Sequence, residues 1–249
     1  MCPADLSVAP RPPRARCRRR HALRRLLAGV LLLAIAILAS GAGALASLPG
    51  VGDAQRRARA IMRAHHERAG MPVPSRLAAA VIATEDEHFD ENVVLNVATG
   101  IARAGLAVLE GQSNPGGATI DQQLAKALYG QPGGQLGVLR EIGLGIKLGA
   151  SYSHRAILAM YLNVNYYGNG LWGVRQAAAG YFDTTPGRLT WAQAALLAGL
   201  LQAPSAYNPL RHPALARQRR RHVLAQLVAN HDLTAARAAA AARQPLLAG

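Results

Sequence analysis

Apolar residues run without a charge from Leu26 to Leu48, and beyond that run they recur at helical spacing rather than in strict alternation. As a helix rising ~1.5 Å per residue, the run is ~35 Å long and reaches across a bilayer. From Asp53 onward no period-2 strand pattern is sustained. Segments rich in Ala, Leu and Arg are instead broken by Pro72 and Pro74, Pro115-Gly116-Gly117, Pro132-Gly133-Gly134 and Pro204. The pattern predicts an all-α protein with helices near 54–69, 75–88, 95–110, 119–129, 138–150, 154–163, 171–181, 191–202, 213–230 and 235–243. Two of the starts are chemically marked: Thr119 with Gln122, and Thr190 with Gln193, have the spacing of a capping box. The Ala-rich stretch from Ala235 is expected as a surface helix.

Composition narrows the class. The chain has 249 residues, 51% apolar, with two cysteines, which suits one sizeable core and excludes both a disordered chain and a disulfide-stapled scaffold. Of the net charge of +15, residues 1–25 supply +7, from eight arginines and Asp5. An arginine cluster directly before an apolar span predicts a cytoplasmic tail and a single-pass anchor in the cytoplasmic membrane, with everything past Leu48 on the periplasmic or extracellular side. A cleaved signal peptide is the alternative, since Ala44-Leu45-Ala46 has the small-x-small form, but the apolar run exceeds the ~7–15 residues usual for such signals. Cys2 and Cys17 precede the span, so the exported part carries no cysteine for a disulfide. The position of the tail against the span favours topology over nucleic acid as its role, and no nucleic-acid partner is expected. The expected divisions are a basic tail (1–25), an anchor (26–48), a linker or juxtamembrane helix (49–74), a functional domain (75–230) and an Ala-rich C-terminal helix (231–249).

Acids are scarce past the span, so their gathering at Glu85, Asp86, Glu87, Asp90 and Glu91 is informative. Acids at a helix C-terminus face the negative end of the macrodipole, a placement that calls for another constraint. A second stretch, 116–126, is a Gly-rich loop feeding a helix start. Backbone N–H groups near Gly117 can receive an anion there, with Thr119, Gln122 and Gln123 adding neutral hydrogen-bonding groups. Lys126 shares a face with the two glutamines and is one of only two lysines in the chain. Glu141, isolated among acids in an apolar helix, has Arg140 beside it and Lys147 further along as candidate cations for a phosphate.

In their order along the chain these pieces resemble the family 51 glycosyltransferases, the peptidoglycan polymerases found alone or as the first domain of bifunctional penicillin-binding proteins. Glu85, Asp86 and Phe89 match the motif Glu-Asp-x-x-Phe. Residues 116–126 match Gly-x-Ser-Thr-Ile-x-Gln-Gln-Leu-x-Lys with Ala118 in place of the serine. Tyr161 to Gly170, followed by Gly173-Val174, Ala177-Ala178 and Tyr181-Phe182, match a further motif, and Pro204, Tyr207, Pro209 and Arg220-Arg221-x-Val223-Leu224 continue the pattern. The resemblance implies a lysozyme-like helical domain behind a membrane anchor. Its substrate would be a lipid-linked disaccharide-peptide pyrophosphate, lipid II, and its partners the membrane and other cell-wall synthesis proteins. Glu85 would be the base and Glu141 would assist at the departing pyrophosphate. Asp86, Phe89, Gly117, Thr119, Gln122, Gln123, Lys126, Arg140 and Lys147 would bind substrate.

The departures are specific. Gly137 and Val138 stand where the family's third motif has Arg and Lys, Asn92 and Val94 where its first motif continues to His and Gly, and Asp121 where its second has a Thr. An acid at Asp121 would repel a pyrophosphate unless a divalent cation, magnesium or manganese, or an arginine bridges the two; otherwise no cofactor is required. With no Ser-x-x-Lys or Lys-Thr-Gly, a monofunctional transferase without a transpeptidase domain is expected. Two other readings use the same residues: a member that binds precursor or partner proteins without turnover, and a lytic glycosidase with Glu85 as general acid.

Overall fold

The structure, a computed structural model, describes residues 45–68, 73–89, 119–130 and 133–247, together with Gly29 and Gly43. The expected tail, most of the expected anchor, the expected helix at 95–110, and Gly117, Asp90 and Glu91 lie outside the described residues. The chain divides into two units, Met1–Leu48 and Pro49–Gly249. In the first, residues 45–47 are helical. Among the described residues no helix is long and apolar enough to cross a membrane.

The second unit is helical throughout its described part: α1 (Ala54–Ala64), α2 (Ser75–Glu85), α3 (Ile120–Tyr129), α4 (Gln135–Ser151), α5 (His154–Val164), α6 (Gly173–Phe182), α7 (Trp191–Gln202), α8 (Pro213–Ala229) and α9 (Ala235–Arg243), with one 3₁₀ turn at Pro186–Arg188. Beyond an isolated bridge between Tyr166 and Trp172, no strand forms among the described residues. Both capping boxes are present: Thr119 and Thr190 each accept from the backbone N–H three residues on, and Gln122 and Gln193 reach back to the cap N–H. Ser153 caps α5 and Thr234 caps α9 in the simpler way, while Pro213 opens α8.

Two helices stop before the pattern predicts. α1 ends at Ala64 because His66 turns left-handed (φ 58°) and sends Glu67 inward. α2 ends at Glu85 because Asp86 leaves the helix at φ −161° and the Phe89 N–H closes a turn on the Asp86 carbonyl.

The helices pack in two sets. In one, α7 is buried nearly all round, from Ala192 to Leu200, and lies against α2, α8 and α9. In the other, α3 packs on α4 and α5, and α1 and α6 join α5. The sets are tied on one side by a glycine corner. Gly168, at φ +91°, sits where a Cβ would lie 3.0 Å from the Tyr181 hydroxyl and 3.1 Å from the Pro204 carbonyl. Next to it Asn169 and Asn208 exchange side-chain hydrogen bonds of 3.2 and 2.8 Å.

The stretch expected as a linker or juxtamembrane helix contains α1, whose Ala54, Ala58 and Met62 are buried in the same unit as the remaining helices. The Ala-rich C-terminal helix lies on the surface as expected, with Ala235, Ala236, Arg237, Ala239, Ala240 and Arg243 exposed; it is held there by buried Ala238 and Ala241 and by the Arg220 guanidinium, which donates to the carbonyls of Ala242, Gln244 and Pro245 at its end. Small side chains let α9 approach α8 closely, which the alanine composition alone does not reveal.

Candidate active site

The carboxylate of Glu85 lies where the two sets meet on the other side. α2 belongs to the first set, yet its last residue reaches α3 of the second: Gln123 Nε2 donates to Glu85 Oε2 at 3.2 Å. From α8, Arg219 donates to Glu85 Oε1 at 3.3 Å, and both side chains of this pair are about nine-tenths buried. Gln123 is held in turn by Tyr161 of α5, whose hydroxyl donates to its Oε1 at 2.7 Å. Burial raises the affinity of Glu85 for a proton above the ordinary glutamate value. Gln123 and Arg219 act against that, and Asp86 adds to it.

The turn after α2 explains the acidic cluster. Asp86 is buried, and its Oδ2 accepts the Ile120 N–H at 3.1 Å. The acid therefore faces the positive end of α3 rather than the negative end of α2, which supplies the constraint its position demanded. Glu87, by contrast, is solvent-facing and pairs with His88 at 3.3 Å. Phe89 is buried against His154, with ring centroids 5.1 Å apart, and pins the turn to the core.

α3 and α4 form an antiparallel pair. A Cβ on Gly145 would lie 3.0–3.1 Å from Cγ, Cα and N of Gln122, so the glycine lets α4 rest on the first turn of α3. One turn earlier on the same face of α4 is Glu141, and one turn later on α3 is Lys126. Burial raises the Glu141 pKa, and the Lys126 charge partly offsets this. Asp121 is buried in the first turn of α3, and its Oδ1 has no hydrogen-bond partner. Burial first, then the Asp86 charge, push its pKa up to about 7.

The structure thus brings Glu85, Asp86, Gln123, Lys126 and Glu141 onto the α2 end and the α3–α4 pair. Thr119 and Gln122 are buried and engaged with each other in the capping box. Arg140 donates to the carbonyls of Tyr129 and Gly130, both at 3.4 Å, closing the end of α3. Lys147 donates to the Pro49 carbonyl at 3.4 Å. At the third-motif positions Val138 is exposed on the first turn of α4, followed by exposed Leu139. Among the described residues no group of three His, Cys, Asp or Glu is placed to hold a metal ion.

Two site roles escape a reading of the sequence. Tyr161 is legible as the start of a motif, but not as a partner of Gln123, although a buried phenol needs a partner for its hydroxyl. Arg219 is one of three consecutive arginines, 219–221, with no local signal that Arg219 turns to Glu85 while Arg220 turns to the end of α9.

Comparison with known proteins identifies the class. A family model described as Transglycosylase matches residues 55–228, and the chain belongs to that family. It is 34% identical over 206 residues to a Cupriavidus necator protein named as a putative transglycosylase, covering 81% of this chain and 84% of that one. It is 40% identical over 158 residues to penicillin-binding protein 2a of Streptococcus pneumoniae, covering 63% of this chain and 21% of the relative. A crystal structure of penicillin-binding protein 1A from Haemophilus influenzae aligns with a TM-score of 0.37 and 28% identity, over 52% of this chain and 16% of that one. The chain thus spans about a fifth of the length of the penicillin-binding protein 2a it matches.

Proposed function

We propose that this chain is a peptidoglycan glycosyltransferase of lysozyme-like helical fold. In this reading the 26–48 span anchors it in the cytoplasmic membrane, and it polymerises lipid II on the outer side. The observation that carries the reading is the Glu85 carboxylate, buried where two helix sets meet and held at both oxygens by N–H donors. Burial raises the proton affinity of Glu85, while the two donors hold its carboxylate in place and favour the charged form, a combination that suits a base.

The step is an inverting displacement. The 4-hydroxyl of the incoming unit gives its proton to Glu85 as its oxygen bonds to the anomeric carbon of the growing glycan. The bond from that carbon to undecaprenyl pyrophosphate breaks, and its electron pair leaves on the pyrophosphate oxygen. Lys126, whose charge acts on Glu141, would take part of the leaving-group charge. Arg140 and Lys147 would join it by exchanging their 3.4 Å carbonyl contacts for phosphate. A charge-stabilising donor at such a position is worth ~3–4 kcal/mol.

The competing reading, a binder without turnover, is supported by the exposed Val138 where the family places a cation. To separate the two, the full chain in detergent is given purified lipid II and the release of undecaprenyl pyrophosphate is followed. The transferase reading expects release matched one to one by new glycosidic bonds. Tight binding of lipid II with no release establishes the competing reading.

A further inference from the structure

Glu85 has a supporting frame assembled from two other helices. Tyr161 is buried in α5, and its phenol, held protonated by that burial, donates to Gln123 Oε1 at 2.7 Å. With the Gln123 oxygen accepting from tyrosine, its NH₂ group points at the carboxylate. On the other oxygen stands the Arg219 guanidinium. Neither donor offers Glu85 an acceptor, so both favour the carboxylate over the protonated acid, and the remaining lone pairs stay open to a substrate proton. The fold makes room for the arginine. Its stem crosses α7 at Gly199, where a Cβ would lie 2.7 Å from Arg219 Cγ, and its guanidinium lies 5.7 Å from the centre of the Tyr207 ring.

We infer that Arg219 and Tyr161 are positioning residues for the base: Arg219 keeps the Glu85 carboxylate ionised, and Tyr161, through Gln123, holds it in one orientation toward the acceptor hydroxyl. The inference rests on the transferase reading for its catalytic meaning, but its physical content, the charge state of Glu85, is independent of turnover. Among the described residues, the charged and titratable groups facing Glu85 are Asp86 beside it, Arg219 from α8 and Tyr161 from α5, while α3 presents the neutral Gln123. α7, packed against α2, carries no titratable side chain. One turn past Arg219 is His222, whose pKa is lowered by burial and then by the Arg219 charge.

The test is the titration of Glu85 in the full chain in lipid nanodiscs, by carboxyl ¹³C NMR of glutamate-labelled protein. The chain has six glutamates, and Glu85→Gln assigns the resonance. Arg219→Gln is expected to raise the Glu85 midpoint by about one pH unit, Arg219→Lys to return most of it, and Tyr161→Phe to raise it by less. In turnover with lipid II, the acidic limb of kcat/KM moves up with the midpoint in Arg219→Gln, and Tyr161→Phe lowers kcat with KM unchanged. A Glu85 midpoint unmoved in folded Arg219→Gln overturns the inference, and so does an equal loss of rate at every pH. If wild type gives no polymer, the transferase reading falls, while the NMR midpoint still decides the role of Arg219.

Discussion

Gly145 of α4 and Gln122 of α3 stand so close that the pair fixes the separation of the two helices: two of the three nearest atoms to a Cβ on the glycine, at 3.1 Å, are the Cα and N of Gln122. Backbone atoms cannot swing aside as a side chain can. A side chain at 145 therefore has to push α4 off the first turn of α3, carrying Glu141 with it.

Gly145→Val is accordingly expected to destabilise the chain by ~1–3 kcal/mol, the usual cost of overpacking, and to lower the melting temperature in a thermal scan. Gly187, in the 3₁₀ turn, has nothing within 4 Å of the place a methyl would take, and Gly187→Ala is expected to stay within ~0.5 kcal/mol of wild type. Equal melting temperatures for the two variants would contradict the packing described for α3 and α4.

Asp121 supplies a pH dependence of known sign. Its folded pKa lies above the unfolded value, so its contribution to stability is complete below pH ~4 and is lost as pH rises through about 7. A carboxyl moved from 3.8 to about 7 carries an ionisation penalty of at most ~4 kcal/mol at alkaline pH. Asp121→Asn has no charge to acquire. The stability difference between the variant and wild type, from urea melts at pH 5 and pH 8.5, should shift in favour of asparagine at the higher pH; a difference that does not change with pH removes the buried-carboxyl account.

Arg220 is a structural arginine beside a functional one. Its guanidinium donates to three carbonyls at the end of α9, at 2.8–3.0 Å. Arg220→Ala strands these acceptors and is expected to cost ~3 kcal/mol, with hydrogen exchange in α9 accelerating before that in α7. Arg220→Lys, a point charge in place of a planar fork, should recover less than half of the loss.

Much of this is legible in the chain itself, for identifiable reasons. The capping boxes at Thr119 and Thr190 are local devices, and both form as their spacing requires. Glu85 and Asp86 stand out because acids are rare in a basic chain, although only the fold shows that Asp86 turns to the N-terminus of α3. What stays hidden depends on partners distant in sequence. Arg219 meets Glu85 across 134 residues, and the missing side chain of Gly199 leaves the space its stem crosses. The early stop of α1 rests on a left-handed histidine, His66, a conformation that residue type alone does not predict.

The most direct test of the central claim compares wild type with Glu85→Gln on purified lipid II, resolving products by chain length, with preformed glycan in a parallel reaction. The account predicts glycan polymer from wild type, a loss of at least ~10³-fold in rate for Glu85→Gln with lipid II binding retained, and no cleavage of preformed glycan. Polymer formed equally well by Glu85→Gln, or wild-type chain that cuts glycan and builds none, would contradict it.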